Sequence, residues 1–347
     1  MKKKLLVVAV SATLGLTGCM QTKENIREYT DVSMQKADIL PSKETLAGAK
    51  QKIVIFPADT TDSPLGKSSH TGTAISTALE THLAEVGVEI VDRNIARKLK
   101  KELALAESKG KSQYNGPDVA NYAITGNVSN ASLSYDFTAR KSYTNDDGKT
   151  SVTPAHCRFT ATVAANLKLY KLPGLAYSKT ITTEDKASFS TDTSNSRCPI
   201  SNASANALIR KAAKAGVESN RAKFQNFFSP KAYVLERKVN GDKSLFKISA
   251  GKNFGFKPES TITFYNLEVK ANPLTGDVAI EEYAVVEGTI TSNLISDHFA
   301  WILVDDEYAD QVKLGDYVKV KYEKSTFGDL TTKMTTSFNS GLKNMFN

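Results

Sequence analysis

Two long stretches in which apolar and polar residues alternate are the feature that most limits the fold. Apolar side chains occupy every second position from Ala131 to Ala139, and again from Phe159 to Leu169. Successive side chains of a β-strand point to opposite faces, so a period of two predicts strands that bury one face. The turn-forming residues Asn145 to Gly148 lie between the stretches, which predicts an antiparallel hairpin.

The chain around this hairpin alternates between strand and helix patterns. The β-branched run from Lys52 to Phe56 predicts a buried strand, and apolar positions from Ala74 to Val86 recur at helical spacing. Shorter strand patterns and a long amphipathic helix pattern, Ser201–Phe228, follow. This order predicts an α/β sandwich over residues 51–229, in which helices pack on a mixed sheet.

Beyond Ser229 the pattern contains only short strand-like runs separated by turns, such as the one at Asn240 to Asp242. Such spacing is typical of a small barrel or sandwich, so we predict an all-β domain over residues 230–325. Residues 326–347 predict an amphipathic C-terminal helix, whose apolar stripe is a candidate partner-docking surface on the protein itself or on a neighbour. The stripe contains Phe327, Leu330, Met334, Phe338 and Leu342.

The N-terminus has the three parts of a secretory signal peptide. Lys2 to Lys4 are positive, Leu5 to Leu14 is an apolar run too short to cross a bilayer, and Leu16-Thr17-Gly18-Cys19 follows. Small residues before a cysteine resemble the lipobox of bacterial lipoproteins, which implies that residues 1–18 are removed and that Cys19 carries lipid. Met20 in place of Asp implies sorting to the outer membrane. An ordinary signal peptide with a chance cysteine is the alternative.

The lipid anchor has two consequences for the rest of the chain. Residues 19–50 are polar without a sustained period, which predicts a tether from the membrane to the first folded element. With Cys19 used by lipid, Cys157 and Cys198 are the cysteines that remain. An even number of cysteines in an oxidising compartment predicts a disulfide between them. Two free buried thiols are the alternative.

Composition and motifs argue against nucleic acid as a partner and against an enzyme. The formal charge is +8, and removal of the three signal-peptide lysines reduces it to +5 without a dense basic block. Gly66-Lys67-Ser68 lacks the earlier glycine that a phosphate-binding loop requires. No two of the four histidines have the spacing of a zinc site. We expect no metal, no cofactor apart from the covalent lipid, and no small-molecule substrate.

Several motifs occur in a set order within the α/β segment. They are the strand Ile53–Pro57, the acidic residue and arginine at Asp92-Arg93, the glycine-containing strand Ala123–Val128, and the strand Ala164–Tyr170. In this order they resemble the family of the curli-secretion lipoprotein, called CsgG-like, over about half of the chain. The resemblance implies a sandwich of helices on a mixed sheet and assembly into oligomers.

The pore-forming member of that family inserts two hairpins per subunit into the outer membrane, so a secretion pore is an alternative for this chain. The first candidate hairpin, Leu133–Phe159, alternates but has a charged tip. The second, Ala187–Ile200, is short and nearly all polar. A membrane strand needs about 9–11 residues with an apolar outward face. We therefore favour a function without a pore.

Two motifs near the C-terminus, Glu287–Ile290 and Gly315–Val320, are similar to the C-terminal β-domain of periplasmic flagellar ring proteins. With the anchor, this predicts a non-enzymatic, oligomeric scaffold or accessory of an envelope assembly or secretion machine, lipid-anchored at the periplasmic face of the outer membrane. Its partners would be that membrane, other envelope proteins and further copies of the chain. A lipoprotein activator of a cell-wall synthase is another alternative. A periplasmic hydrolase would require clustered titratable groups.

Replacing Cys19 by Ser removes the thiol that we expect to carry the lipid. The protein should then move from the membrane fraction to the soluble periplasmic fraction, because buried acyl chains are the expected anchor. Cell fractionation and the intact mass of the purified protein measure the two effects. A wild-type mass without acyl chains would contradict the prediction.

Overall fold

Two large sheets and a separate two-stranded sheet lie in the part of the chain that the computed structural model describes, which is residues 23–47, 50–92, 99–101, 103, 105, 120–305 and 307–323. The expected signal peptide, Cys19 and the expected C-terminal helix with its apolar stripe lie outside the described residues. The strands are β1 (Thr30–Val32), β2 (Lys52–Ile55), β3 (Glu89–Ile90), β4 (Tyr122–Thr138), β5 (Lys141–Thr144), β6 (Thr150–Thr153), β7 (His156–Lys171), β8 (Ala176–Asp192), β9 (Lys231–Asn240), β10 (Lys243–Ile248), β11 (Thr261–Ala271), β12 (Val278–Ile295), β13 (Ala300–Val304) and β14 (Tyr317–Val320). The α-helices are α1 (Lys43–Ala47), α2 (Pro64–Ser68), α3 (Thr71–Ala84), α4 (Asn202–Ser219) and α5 (Arg221–Phe228).

The first sheet has five strands in the order β3-β2-β4-β7-β8. Strand β2 pairs in parallel with β3 and β4, whereas β4, β7 and β8 pair antiparallel. Neighbouring residues of β2 pack on opposite faces, with Ile53 and Ile55 in one core cluster and Val54 in another. The predicted mixed α/β class is confirmed, while the CsgG-like form of the sandwich stays an expectation.

Helices α3, α4 and α5 cover one face of this sheet, where Leu79, Ile209 and Phe228 are buried in the same cluster as the inward residues of β7. The sequence predicted one helix from Ser201 to Phe228, but the structure contains two. Helix α4 ends because Asn220 leaves the helical conformation, with φ of −109° and ψ of 9°. The Asn220 Nδ2 atom donates to the carbonyl of Gly216 at 2.9 Å, which satisfies a carbonyl of the last turn.

The second sheet closes into a barrel of six strands in the order β9-β10-β13-β12-β11-β14. Closure comes from β14, which pairs with β9 so that Tyr317 lies opposite Tyr233. The sequence was compatible with either a barrel or a sandwich, and the pairing of β14 with β9 shows that the domain is a barrel. Its interior is filled by fully buried apolar side chains, among them Val234, Phe246, Phe264, Ile302 and Val318.

The segment Ala187–Ile200, which the sequence presented as a second candidate hairpin, is not a hairpin. Strand β8 continues through it to Asp192, which lies opposite His156 of β7. The Phe189 ring stacks on Phe159 of β7 with centroids 5.2 Å apart. That contact favours continued pairing with β7 over a turn, so the hairpin interpretation was wrong.

The structure contains the predicted disulfide between Cys157 and Cys198, whose Cα atoms are 5.6 Å apart. Cys157 lies near the start of β7, and Cys198 lies in the loop before α4. Both residues are buried. The bond therefore fixes the loop that leads from the sheet to the helix covering it.

Part of the expected tether lies on the barrel. Strand β1 pairs antiparallel with β9, and the Ala37 N–H donates to the carbonyl of Leu314 at 3.0 Å. Tyr29 is buried in a cluster with Trp301. The expectation of a free tether is therefore wrong for residues 24–37. The sequence pattern of the segment could not indicate this docking, because each contact involves only one to three residues, which is too few for a recognisable periodicity.

Asp316 is a buried carboxylate next to this N-terminal segment, with 2% of its surface exposed. Its Oδ2 atom accepts the N–H of Lys313 at 2.7 Å, while its Oδ1 atom has no hydrogen-bond partner among the described residues. Burial raises the pKa of Asp316 from 3.8 to about 6, against the opposing effect of the Lys313 N–H. Compared with the unfolded chain, the folded protein therefore disfavours the ionised form of this carboxyl.

Replacing both Cys157 and Cys198 by Ser should lower the free energy of unfolding by about 2–4 kcal/mol, because the bond closes a long loop in the unfolded chain. The sequence separation of the two cysteines is 41. Urea denaturation of the variant and of wild type, each with and without reductant, measures the effect. A reductant should shift only the wild-type curve, and equal curves for all four samples would contradict the prediction.

Replacing Asp316 by Asn should flatten the pH dependence of stability. Since the folded pKa lies above the unfolded one, the contribution of Asp316 to the free energy of unfolding falls as pH rises from about 4 to about 6 and stays low above that. Asn keeps an oxygen acceptor for the Lys313 N–H and cannot ionise, so the variant should gain about 2 kcal/mol at neutral pH and little at pH near 4. Denaturation series at both pH values test this. An equal loss at both would show that the carboxyl acts only through packing.

Candidate functional site

A two-stranded arm, residues 266–283, projects from the barrel. Strand β14 pairs with β11 only as far as Tyr265, and β13 pairs with β12 only from Thr289. Between these limits the two strands of the arm pair with each other and with no other described strand. The Asn272 Oδ1 atom accepts the N–H of Leu274 at 2.9 Å and so holds the turn at the tip.

One face of the arm is apolar and open to solvent. Val269 lies opposite Ile280, and Ala271 lies opposite Val278, so these four side chains share a face. The exposed fraction is 50% for Val269, 62% for Ile280 and 67% for Val278, and it reaches 94% for Leu274 at the tip. A contiguous apolar face of this kind is typical of an interaction surface.

The opposite face of the arm is charged. The Lys270 Nζ atom lies 3.3 Å from Glu281 and 3.4 Å from Glu268, and 4.4 Å from the centroid of the Tyr283 ring. Within residues 266–283, four acidic side chains stand against the single Lys270, a net charge of −3. An isolated two-stranded hairpin is only marginally stable in water, so a partner that covers the apolar face would stabilise the arm.

The turn between β7 and β8 presents a surface of the opposite charge. Tyr177 is 60% exposed there, and its ring lies 6.2 Å from that of Tyr170. The segment 167–183 contains no Asp or Glu, and its basic residues are Lys168, Lys171 and Lys179. These three lysines are all exposed. This end of the sheet therefore combines positive charge with an accessible aromatic ring.

A cavity of about 360 Å³ lies between the α/β part and the barrel. Gly87 makes the close approach of the two parts possible. It has a φ of +80°, and a Cβ atom there would lie 2.8 Å from the backbone of Phe254. The cavity is lined by Thr45, Lys50, Gln51, Gly87, Val88, Phe228, Pro230, Lys231, Tyr233 and Phe254.

The structure also places the motifs that could have indicated chemistry. Gly66-Lys67-Ser68 belongs to helix α2, and the Gly66 N–H donates to Ser63 Oγ at 3.1 Å. The segment therefore lies in a short helix that Ser63 caps, and not in a phosphate-binding loop. His82 contacts Glu218 at 2.7 Å in the groove between α3 and α4. Over the residues with described positions, no group of three or more His, Cys, Asp or Glu side chains is arranged to hold a metal.

The predicted site residues divide into two groups. Cys157 and Cys198 come together as predicted, while Cys19 and the C-terminal stripe lie outside the described residues, so their roles stay predictions. The arm and the cavity were missed. The turn residues from Pro273 to Gly276 did indicate a hairpin. The alternation of apolar and polar residues, however, is the same in a hairpin that projects as an arm and in one that forms a barrel wall. No described helix has the length and apolar character needed to cross a bilayer.

Comparison with known proteins yields only partial likenesses, and no protein-family model matches the chain. One stretch of 73 residues is 36% identical to the bifunctional protein GlmU of Clostridium kluyveri. That stretch is 21% of this chain, and it spans only 16% of the length of GlmU.

Among solved structures, the PelC dodecamer from Paraburkholderia phytofirmans is similar at 14% identity, over 54% of this chain and 97% of that one, with a TM-score of 0.20. A minor lipoprotein from Acinetobacter baumannii is similar at 11% identity, over 51% of this chain and 92% of that one, with a TM-score of 0.25. TM-scores this far below 0.5 carry no argument about the fold or the function of this chain.

Proposed function

We propose that this chain is a non-enzymatic scaffold of the bacterial envelope, anchored through lipid on Cys19 at the periplasmic face of the outer membrane. It works as an oligomer within an assembly or secretion machine. The observation that supports this proposal most directly is the arm, whose apolar face is exposed and whose net charge is −3. A surface of this kind gains stability when a partner covers it.

The occupant to which we commit is a second copy of this chain. The arm is acidic and apolar, whereas the β7–β8 end is basic and offers the exposed ring of Tyr177. The two surfaces are therefore complementary in charge and in apolar character. Because each copy carries both surfaces at different places, a contact between the arm of one copy and the β7–β8 end of the next is heterologous. Such contacts generate a ring or a helical filament.

The docked N-terminal segment favours a scaffold that lies against the membrane. The Glu24 N–H donates to Asn293 Oδ1 at 3.1 Å, and its carboxylate lies 3.0 Å from Lys243 of the barrel. Only five residue steps separate Cys19 from Glu24, which span at most about 18 Å. An activator of a cell-wall synthase needs a tether long enough to cross the wall, so this contact supports the scaffold over that alternative.

Replacing Ile280 by Ser should weaken self-association roughly tenfold or more, because burial of one isoleucine side chain contributes about 1.5–3 kcal/mol. Folding should change little, since Ile280 is 62% exposed in the single chain. Native mass spectrometry of detergent-extracted protein over a concentration series measures the association. Wild-type protein that stays monomeric throughout the series would refute the proposal.

Charge reversal identifies the receiving surface. The variant Glu268→Lys/Glu281→Lys and the variant Lys168→Glu/Lys179→Glu should each lose oligomers, and an equimolar mixture of the two should recover them. The matched control, Asp146→Lys/Asp147→Lys in the turn between β5 and β6, reverses two exposed charges and should assemble like wild type. Failure of the mixture to recover oligomers would refute the arm-to-turn contact.

A further inference from the structure

The cavity between the two parts of the chain has a positively charged wall. Lys50, in the segment before β2, and Lys231, at the start of β9, both line it. None of the lining residues is an Asp or a Glu. Among the described residues that line the cavity, the charged ones are therefore these two lysines, which lie 181 positions apart in the chain.

A third lysine, Lys319, lies next to Lys231 and repels its ammonium group. Strand pairing places Lys319 of β14 directly opposite Lys231 of β9, and like charges at directly opposite positions destabilise a sheet. Burial, followed by repulsion from Lys319 and then from Lys171, lowers the pKa of Lys231, while Glu282 acts in the opposite direction. The Glu282 carboxylate lies 3.9 Å from the Lys319 Nζ atom. It therefore interacts with Lys319 as well as with Lys231.

Aromatic rings attract the ammonium groups without neutralising them. The Lys231 Nζ atom lies 4.0 Å from the centroid of the Tyr317 ring. The Lys319 Nζ atom lies 5.4 Å from the centroids of both Tyr317 and Tyr265. Cation–π contacts orient the two ammonium groups, but the positive charges of Lys231 and Lys319 outnumber the single Glu282 carboxylate beside them.

A polar atom in the same wall lacks a partner. Gln51 lines the cavity, and its Oε1 atom is buried and accepts no hydrogen bond from any described residue. A buried acceptor without a donor is costly. A ligand hydroxyl that entered the cavity could supply the missing donor.

We propose that this cavity binds a phosphate group carried on a small hydroxylated body. Lys50 and Lys231 contact the phosphate oxygens, Lys319 adds a longer-range attraction, and Gln51 Oε1 accepts a hydrogen bond from a hydroxyl of the body. Two lysines in the cavity wall, with Lys319 opposite one of them, favour a doubly charged phosphate over a single carboxylate. The volume of about 360 Å³ suits a body of glycerol size. The sequence predicted no small-molecule substrate, and the proposal concerns a bound ligand and not a reaction.

Titration calorimetry on the full mature chain with Cys19→Ser, which stays in solution without detergent, tests the site with three probes. sn-Glycerol 3-phosphate should bind more tightly than inorganic phosphate, and glycerol should not bind. Lys231→Gln and Lys50→Gln should each weaken binding of both phosphates roughly tenfold. Gln51→Leu should remove the preference for glycerol 3-phosphate and leave inorganic phosphate binding unchanged. The matched control, Lys149→Gln in the turn between β5 and β6, should bind like wild type.

The same chemistry occurs in a lipid headgroup, so a second arm uses vesicles. Co-sedimentation with phosphatidylglycerol vesicles, compared with phosphatidylcholine vesicles, shows whether the glycerol phosphate is presented by a membrane. Binding of the soluble probe identifies a free ligand as the source. Binding only to phosphatidylglycerol vesicles, lost in Lys231→Gln and kept in Lys149→Gln, identifies the lipid headgroup. Absence of both kinds of binding, or equal loss in Lys149→Gln and Lys231→Gln, would overturn the proposal.

Thermal unfolding separates a ligand site from a structural cluster. Without ligand, Lys231→Gln should be at least as stable as wild type, since it removes repulsion from Lys319. Glycerol 3-phosphate should raise the unfolding temperature of wild type and leave that of Lys231→Gln unchanged. A variant that is less stable than wild type without ligand, and equally shifted by the probe, would assign Lys231 a structural role and refute the site.

Discussion

The pairing of β14 with β9 is the interaction on which the rest of the described structure depends. It closes the barrel by placing Tyr317 opposite Tyr233, and it uses only the first residues of β9. The remaining length of β9 is free to pair with β1, so barrel closure also creates the docking position of the N-terminal segment. Because β14 has only four residues, it covers β11 no further than Tyr265. The arm is what remains of the β11–β12 ladder beyond that point.

The closing strand also joins the barrel to the α/β part. The Ser229 Oγ atom donates to the carbonyl of Val320 at 3.1 Å. The side chain of Asn226 both donates to and accepts from the backbone of Tyr322, at 2.7 and 2.8 Å. These bonds hold the end of helix α5 against the end of β14. The cavity, the docked N-terminal segment and the arm are thereby built on one connected framework, which is the physical basis for treating the chain as a scaffold.

Much of the fold could be predicted from local patterns, and little of the candidate sites could. The strands around Ile53 and Phe159 and the helix after Ala74 were evident because their periods depend only on neighbouring residues. The disulfide followed from counting cysteines in an expected compartment. Val269 and Ile280, by contrast, have the pattern of core residues and are exposed. Alternation specifies that a strand has two different faces, and it does not specify what covers the apolar one.

The sequence by itself determined the main strands and helices of both parts, the α/β class of the first part, the all-β character of the second, and the expectation of a lipid anchor on Cys19. The tertiary structure alone decided that the second part closes as a barrel, that residues 24–37 dock on it, and that Lys231 and Lys319 meet beside a cavity that Lys50 also lines. The physical reason is the distance along the chain over which the deciding interactions act. Periodicity records interactions between residues close in the chain, whereas closure, docking and charge convergence depend on pairings between residues up to nearly three hundred positions apart.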